Sequence, residues 1–212
     1  MKPKIAIPIV LFLLCFQQVT QAQTLKNKIQ KCVVEIGHTF PEIPMNRLKH
    51  LDQVAFLVFK KLGDSTKADI LFLDTENLEI SQLAMIWLQT GMIYYGHSDM
   101  FNIQSAGIEP KIEPISKLAT LKEYGFSIRN TRGKDQMPYK IDYGSGNWTV
   151  YPKSLQSLGP DSENIFKIYL ENISANDIEK NKVELLFSDI TSIPREMLYM
   201  ATRINNLLQT KQ

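Results

Sequence analysis

The hydrophobic pattern of this chain switches repeatedly between helical and strand-like spacing. Leu48, Leu51, Ala55, Val58 and Leu62 follow one another at intervals of three and four residues, the spacing of one helix face, and Gly63 stands where that helix would stop. Ahead of it, Thr24 to Ile36 reads as a more polar first helix ended near Gly37, with Pro41 to Pro44 breaking the chain between the two. Ile70-Leu71-Phe72-Leu73 is instead a short continuous apolar run, the signature of a strand buried on both faces. It runs into the polar stretch Asp74 to Ile80. After Ser81, the residues Gln82 to Tyr95 are apolar nearly all round, which predicts a largely buried helix. Strand, loop and helix in that order open a parallel βαβ unit.

Phe101 to Gln104 predicts the next strand, closed by Ser105-Ala106-Gly107. Pro114 to Tyr124 predicts a helix opened by proline and closed by Gly125, with Phe126 to Ile128 as a short extended piece after it. In the second half, Tyr139 to Ile141 and Trp148 to Tyr151 flank Gly144-Ser145-Gly146-Asn147, residues that accept the positive φ of a hairpin connection. Ile165 to Leu170 and Val183 to Phe187 are further strand candidates. Met197, Leu198, Ala201, Ile204 and Leu208 give a C-terminal helix from Pro194 its apolar face. The alternation predicts an α/β fold, a parallel sheet with helices on both faces, in which an N-terminal helical segment (23–66) is added to an α/β domain (67–212).

Composition changes this picture at one end. Residues 1–22 carry Lys2 and Lys4 but no acid, then an apolar run from Ile5 to Phe16 and small or polar residues at Thr20 and Ala22. That is the layout of a secretory signal peptide, with an apolar run too short to span a bilayer, so the expected location is periplasmic or secreted and no membrane span is expected after cleavage. Lipid attachment at Cys15 is the weaker reading, because Leu13 and Leu14 precede it where small residues would stand. Cleavage after Ala22 removes two of the 24 basic residues and leaves 22 against 22 acids, and it removes one of the two cysteines, leaving Cys32. A neutral chain has no electrostatic case for a nucleic-acid partner. One cysteine makes no internal disulfide and no zinc-type cluster. His38, His50 and His97 are scattered without partners at ligand spacing, so neither a metal nor another cofactor is expected.

In an open parallel sheet, ligands bind outside the carboxyl ends of the strands, which makes the loop after Leu73 the default site. Around it stand Thr75, Asn77 and Ser81 in the loop, Trp87-Leu88-Gln89-Thr90 and Tyr94-Tyr95-Gly96 on the following helix, Ser105-Ala106-Gly107 after the next strand, Glu123-Tyr124-Gly125-Phe126, and Arg195-Glu196-Met197-Leu198-Tyr199. With these residues the chain resembles the low-molecular-weight protein tyrosine phosphatase and arsenate reductase family, especially envelope-targeted members with an extra N-terminal helical segment. That family's reaction uses a C-x5-R-[S/T] loop. A thiolate attacks phosphorus or arsenic, loop amides and a helix N-terminus cradle the oxyanion, and the arginine grips its oxygens. At the matching positions this chain has Asp74 for the cysteine and Ile80 for the arginine. Glu76 and Glu79 add further negative charge, so loop amides suited to a dianion would face up to three carboxylates, each close pair repelling by about 1 to 4 kcal/mol. The family's general acid, an aspartate in a late loop, has its nearest match in Asp189, without the proline that usually follows.

The resemblance therefore implies a pseudoenzyme whose loop residues Thr75, Glu76, Asn77, Leu78, Glu79 and Ser81 meet an unknown small ligand or protein. Its alternative is a phosphohydrolase with Asp74 as nucleophile. A haloacid-dehalogenase-type phosphatase also places its nucleophilic aspartate after an apolar strand, but it needs a second aspartate two residues on, where this chain has Glu76, and a later acidic pair for magnesium that is missing. Asp74, Glu76 and Glu79 also make a candidate cation loop, against the simpler reading of solvated polar residues. Trp87, Tyr94 and Tyr95 read as core aromatics and Cys32 as a buried thiol. Gly144 to Trp148 reads as an exposed contact segment, and Asn147-Trp148-Thr149 and Asn172-Ile173-Ser174 match the glycosylation acceptor pattern.

Overall fold

The computed structural model of the chain describes residues 22–130, 138–159, 164–173 and 183–211. The signal-peptide expectation for 1–22, the lipid site at Cys15 and the end of the second glycosylation pattern at Ser174 lie outside the described residues, apart from Ala22 and Asn172-Ile173.

Four strands form a parallel sheet: β1 (Ala68–Asp74), β2 (Phe101–Gly107), β6 (Phe166–Tyr169) and β7 (Val183–Glu184), in the order β2-β1-β6-β7. β1 is interior, paired along its whole length with β2 and over Ile70–Leu73 with β6. This is why Ile70, Leu71, Phe72 and Leu73 are all apolar and all fully buried: no face or edge of that segment meets water. Ile70, Phe72 and Ile168 point into the main core with residues of α1 (Asn27–Gly37), α2 (Met45–Leu62), α3 (Ile80–Tyr94) and α4 (Ile193–Lys211). Leu71, Leu73 and Tyr169 point the other way, onto the short 3-10 helix Leu155–Leu158 and onto Ile108, Ile165 and Ile173. The molecule is thus an α/β fold with helical elements on both faces of a parallel sheet; among the described residues, α1 to α4 lie on one face and the 3-10 helix Leu155–Leu158 on the other.

A second, antiparallel sheet stands beside the first, built of β3 (Ser127–Asn130), β4 (Tyr139–Asp142) and β5 (Asn147–Val150). β4 and β5 are the hairpin that the glycine-rich segment predicts, with Asp142 opposite Asn147 and Gly144 at φ 143°. An aromatic chain joins this sheet to α3. Trp87 meets Tyr124 edge-on at 4.9 Å and Phe126 at 5.7 Å, and Phe126 leads on to Trp148 at 6.2 Å. The segment expected as a helix from Pro114 is instead a 3-10 helix, Ser116–Lys122. Its two buried side chains, Leu118 and Leu121, are three residues apart, the repeat of a 3-10 helix, so this tighter winding turns both onto the core.

The helical layer is held by close packing and a few placed polar contacts. Arg47 on α2 donates from Nη2 to Glu196 Oε2 on α4 at 2.5 Å, and Tyr199 donates to Asp52 Oδ1 at 2.9 Å. α3 is buried nearly all round because it lies between the sheet and α4, and at their contact a Cβ on Gly91 would come within 2.3 Å of Ala201 Cβ. Gly91→Ala is expected to destabilise the protein by about 1 to 3 kcal/mol, the cost of overpacking, despite alanine's better helix propensity. Ala201→Gly in the same chain should recover most of the loss in urea unfolding. An unchanged midpoint for the single variant would contradict this packing.

Candidate functional site

β1 and β6 are neighbours in the sheet although other elements separate them in sequence, so the strand order reverses there, and a crevice opens at the carboxyl ends of the two strands. The loop Thr75–Glu79 fills it. Asp74, the last residue of β1, is only 3% exposed, and its carboxylate turns inward. Oδ1 accepts the Asn77 N–H at 2.6 Å and Oδ2 accepts the Ser81 N–H at 3.1 Å. Ser81 is the second residue of α3, so one carboxylate satisfies both a loop amide and one of the orphan amides of the helix N-terminus, where negative charge is favoured.

The loop is shaped around that carboxylate. Asn77 sits at φ 50°, a left-handed conformation that asparagine tolerates better than most side chains, and it is fully buried. Its Nδ2 donates to Ser81 Oγ at 2.9 Å, and its Oδ1 accepts from Gln82 Nε2 at 3.0 Å and from the Lys153 N–H at 2.9 Å. Gln82 also donates to the Tyr151 carbonyl at 2.9 Å and accepts from Ser105 Oγ at 3.1 Å. Gly107 at the end of β2 lets the loop come close, since a Cβ there would meet the Thr75 carbonyl oxygen at 2.8 Å. Asp74, Asn77, Ser81, Gln82 and Ser105 thus form one buried polar cluster with its donors and acceptors paired.

Burial pushes the Asp74 carboxyl above the ordinary aspartate value of 3.8; the bonds from Ser81 and Asn77 pull against that rise, and nearby Glu171 adds to it. The other two loop carboxylates do not join Asp74 at the amides, as the sequence had suggested. Glu76 pairs with Lys111, and Glu79 accepts from Ser116 Oγ at 2.6 Å, because both side chains lie on the half-buried outer rim. Glu171, which follows β6, completes that rim by accepting from the Thr75 N–H at 3.1 Å and from its hydroxyl at 2.7 Å. Asp74, Glu76, Leu78, Glu79, Ile80 and Glu171 line a depression of about 180 Å³. Ile80, where the resemblance would place an arginine, packs its side chain against the main core.

Asp189 lines a different depression, with Thr39, Tyr124, Thr191 and Arg195. Its carboxylate accepts the Thr191 N–H at 3.0 Å and the Thr191 hydroxyl, capping the turn Ile190–Ser192, and these bonds hold it below the usual aspartate value. Trp87 is buried in the core while Tyr94 is 38% exposed. Cys32 is half-buried on α1, and burial raises its thiol. His50 bonds the Glu184 carbonyl oxygen and His97 bonds Asn205. Among the described residues, no three His, Cys, Asp or Glu side chains are grouped to hold a metal ion, and no helix is long and apolar enough to cross a membrane.

Gln82 and Glu171 were not singled out from sequence, yet each carried a signal. Gln82 is an amide in an otherwise apolar helix segment, which demands buried partners, and Glu171 follows a strand at the sheet's carboxyl end.

No protein-family model matches the chain, and no curated protein does. Among solved structures it is similar to the Corynebacterium glutamicum thioredoxin-dependent arsenate reductase, at 17% identity and a TM-score of 0.43, over 88% of this chain and 99% of that one.

Asp74→Ala leaves two buried amides without an acceptor and is expected to cost about 2 to 4 kcal/mol in chemical unfolding. A carboxyl whose folded pKa is raised supports the fold most below its unfolded value and loses that contribution as pH rises through the folded one. The stability gap between wild type and Asp74→Ala should therefore be wider below pH 3.8 than at neutral pH. A gap that widens upward instead would contradict the assigned burial.

Proposed function

We propose that this chain is a secreted or periplasmic pseudoenzyme on a low-molecular-weight tyrosine phosphatase and arsenate reductase-like scaffold, acting by binding a ligand or a partner protein. The observation that carries the reading is the Asp74 carboxylate between the amides of Asn77 and Ser81. Those amides, at a helix N-terminus beside a strand-order reversal, are where an oxyanion substrate would be held. Here a side chain of the protein already supplies the negative charge. An incoming phosphate or arsenate would find its donors taken and a buried charge of the same sign in its place.

The remaining chemistry agrees. The side chain at position 80 brings no guanidinium to grip a second oxygen, and Asp189 is bound into its own turn. As a nucleophile, Asp74 would need a free oxygen aimed at solvent, whereas each of its oxygens accepts an amide and the residue is 3% exposed. What the crevice offers outward is its rim of Glu76, Glu79 and Glu171 around Leu78 and Ile80, a surface whose sign favours a cationic group on the ligand or partner. Export rests on the basic, apolar and small-residue succession of residues 1–22.

The purified mature protein is expected to show no turnover of p-nitrophenyl phosphate and no reduction of arsenate in the presence of thiol reductants, with or without magnesium. Turnover that Asp74→Ala abolishes would overturn the proposal and restore Asp74 as a nucleophile.

A further inference from the structure

Among the described residues, the backbone is first held at Thr24. Its N–H donates to Ser145 Oγ at 2.8 Å, and its carbonyl accepts from the Ser145 N–H at 3.0 Å. Leu25 then bridges to Gly144, and the Lys26 N–H donates to the Tyr143 carbonyl at 2.7 Å. The segment is laced to the β4–β5 turn, and Leu25 is buried under it. Ala22 and Gln23, just ahead of this lacing, are exposed, so a cut between them leaves every one of these bonds in place.

Gln23 makes one further contact. Its side-chain Oε1 accepts from the Tyr143 hydroxyl at 3.2 Å. Tyr143 is 5% exposed, with its ring 4.4 Å from that of Trp148. Room for its hydroxyl depends on Gly146, where a Cβ would come within 2.5 Å of the oxygen. Burial lifts the Tyr143 hydroxyl above the ordinary tyrosine value, so it stays a donor into the alkaline range.

We infer that Gln23, once freed as the amino terminus by cleavage after Ala22, closes into a pyroglutamyl ring, and that Tyr143 assists the closure. The inference rests on the export reading of residues 1–22. In the step, the lone pair of the unprotonated α-amine attacks Cδ of the Gln23 side chain, forming a carbon–nitrogen bond and placing negative charge on Oε1. The Tyr143 hydroxyl already points at that oxygen and stabilises the charge as it develops. The charge then collapses back to a carbonyl as the Cδ–Nε2 bond breaks. Nε2 takes the proton released by the α-nitrogen and leaves as ammonia, so no oxidant, reductant or cofactor is consumed. The lactam keeps Oε1, and with it the acceptor of the Tyr143 bond. The terminal positive charge is lost, and the end is closed to aminopeptidases.

Intact-mass measurement and stepwise amino-terminal degradation of the exported, purified protein test this directly. The expected result is residues 23–212 less one ammonia, resistant to degradation. Residues 23–212 with a free glutamine would overturn the cyclisation while leaving export standing, and a chain retaining residues 1–22 would overturn the export reading and the inference with it. For the part played by Tyr143, freshly exported Tyr143→Phe should cyclise about two- to tenfold more slowly than wild type, the weight of one neutral hydrogen bond. Wild type held unfolded in urea should show the same slower rate, a comparison that stands even where the variant folds poorly. Equal rates in folded and urea-unfolded wild type would overturn the assistance.

Discussion

The carboxylate of Asp74 accepts two backbone amides, from Asn77 and Ser81, and the loop between β1 and α3 takes its shape from that pair of bonds. Neither amide has another route to satisfaction. Ser81 is in the first turn of a helix, where no carbonyl precedes it at the right distance, and Asn77 is in a tight left-handed turn. Both residues are fully buried, so water does not serve them. A carboxylate at the strand's end solves both at once and complements the positive end of α3. Its desolvation is the cost, visible in the raised Asp74 carboxyl.

Everything packed around the loop follows from that arrangement. Turning Asn77 inward brings its side-chain amide to Gln82, Ser81 and the backbone of Lys153, which fastens the loop to the segment leading out of β5. Gln82 in turn reaches Ser105 on β2 and the Tyr151 carbonyl. The close approach of β2's end is possible because residue 107 has no side chain. A buried polar network of this kind is stable only when fully paired, so the inward carboxylate and the acidic outer rim are two consequences of one folding solution. The crevice that a parallel sheet opens at its strand-order reversal is filled from within, and its outward surface is left to Glu76, Glu79 and Glu171.

Much of the fold is legible in the sequence because burial is so uneven. The run Ile70 to Leu73 identifies the interior strand, the all-round apolar helix after Ser81 identifies the element sandwiched between sheet and α4, and Gly144 to Asn147 marks the hairpin. Other features depend on partners that no local pattern names. Ser116–Lys122 winds as a 3-10 helix because Leu118 and Leu121 must reach one core surface, and β3 leaves the parallel sheet because it pairs with β4. At the site, the sequence shows an aspartate closing the interior strand and an isoleucine opening the next helix, Asp74 and Ile80, but not the direction of a side chain. That Asp74 turns in while Glu76 and Glu79 turn out is decided by the left-handed turn at Asn77 and by Lys111 and Ser116, which tertiary structure alone brings to the loop.

Asp74 thus occupies the loop amides of Asn77 and Ser81 as the protein's own acceptor. The most direct measurement follows the Asn77 and Ser81 amide resonances in a nitrogen-15 correlation spectrum of the protein during titration with inorganic phosphate. Both resonances should stay in place while phosphate is added. Saturable displacement of the pair would mean that an external oxyanion reaches the amides, and would contradict this role of Asp74.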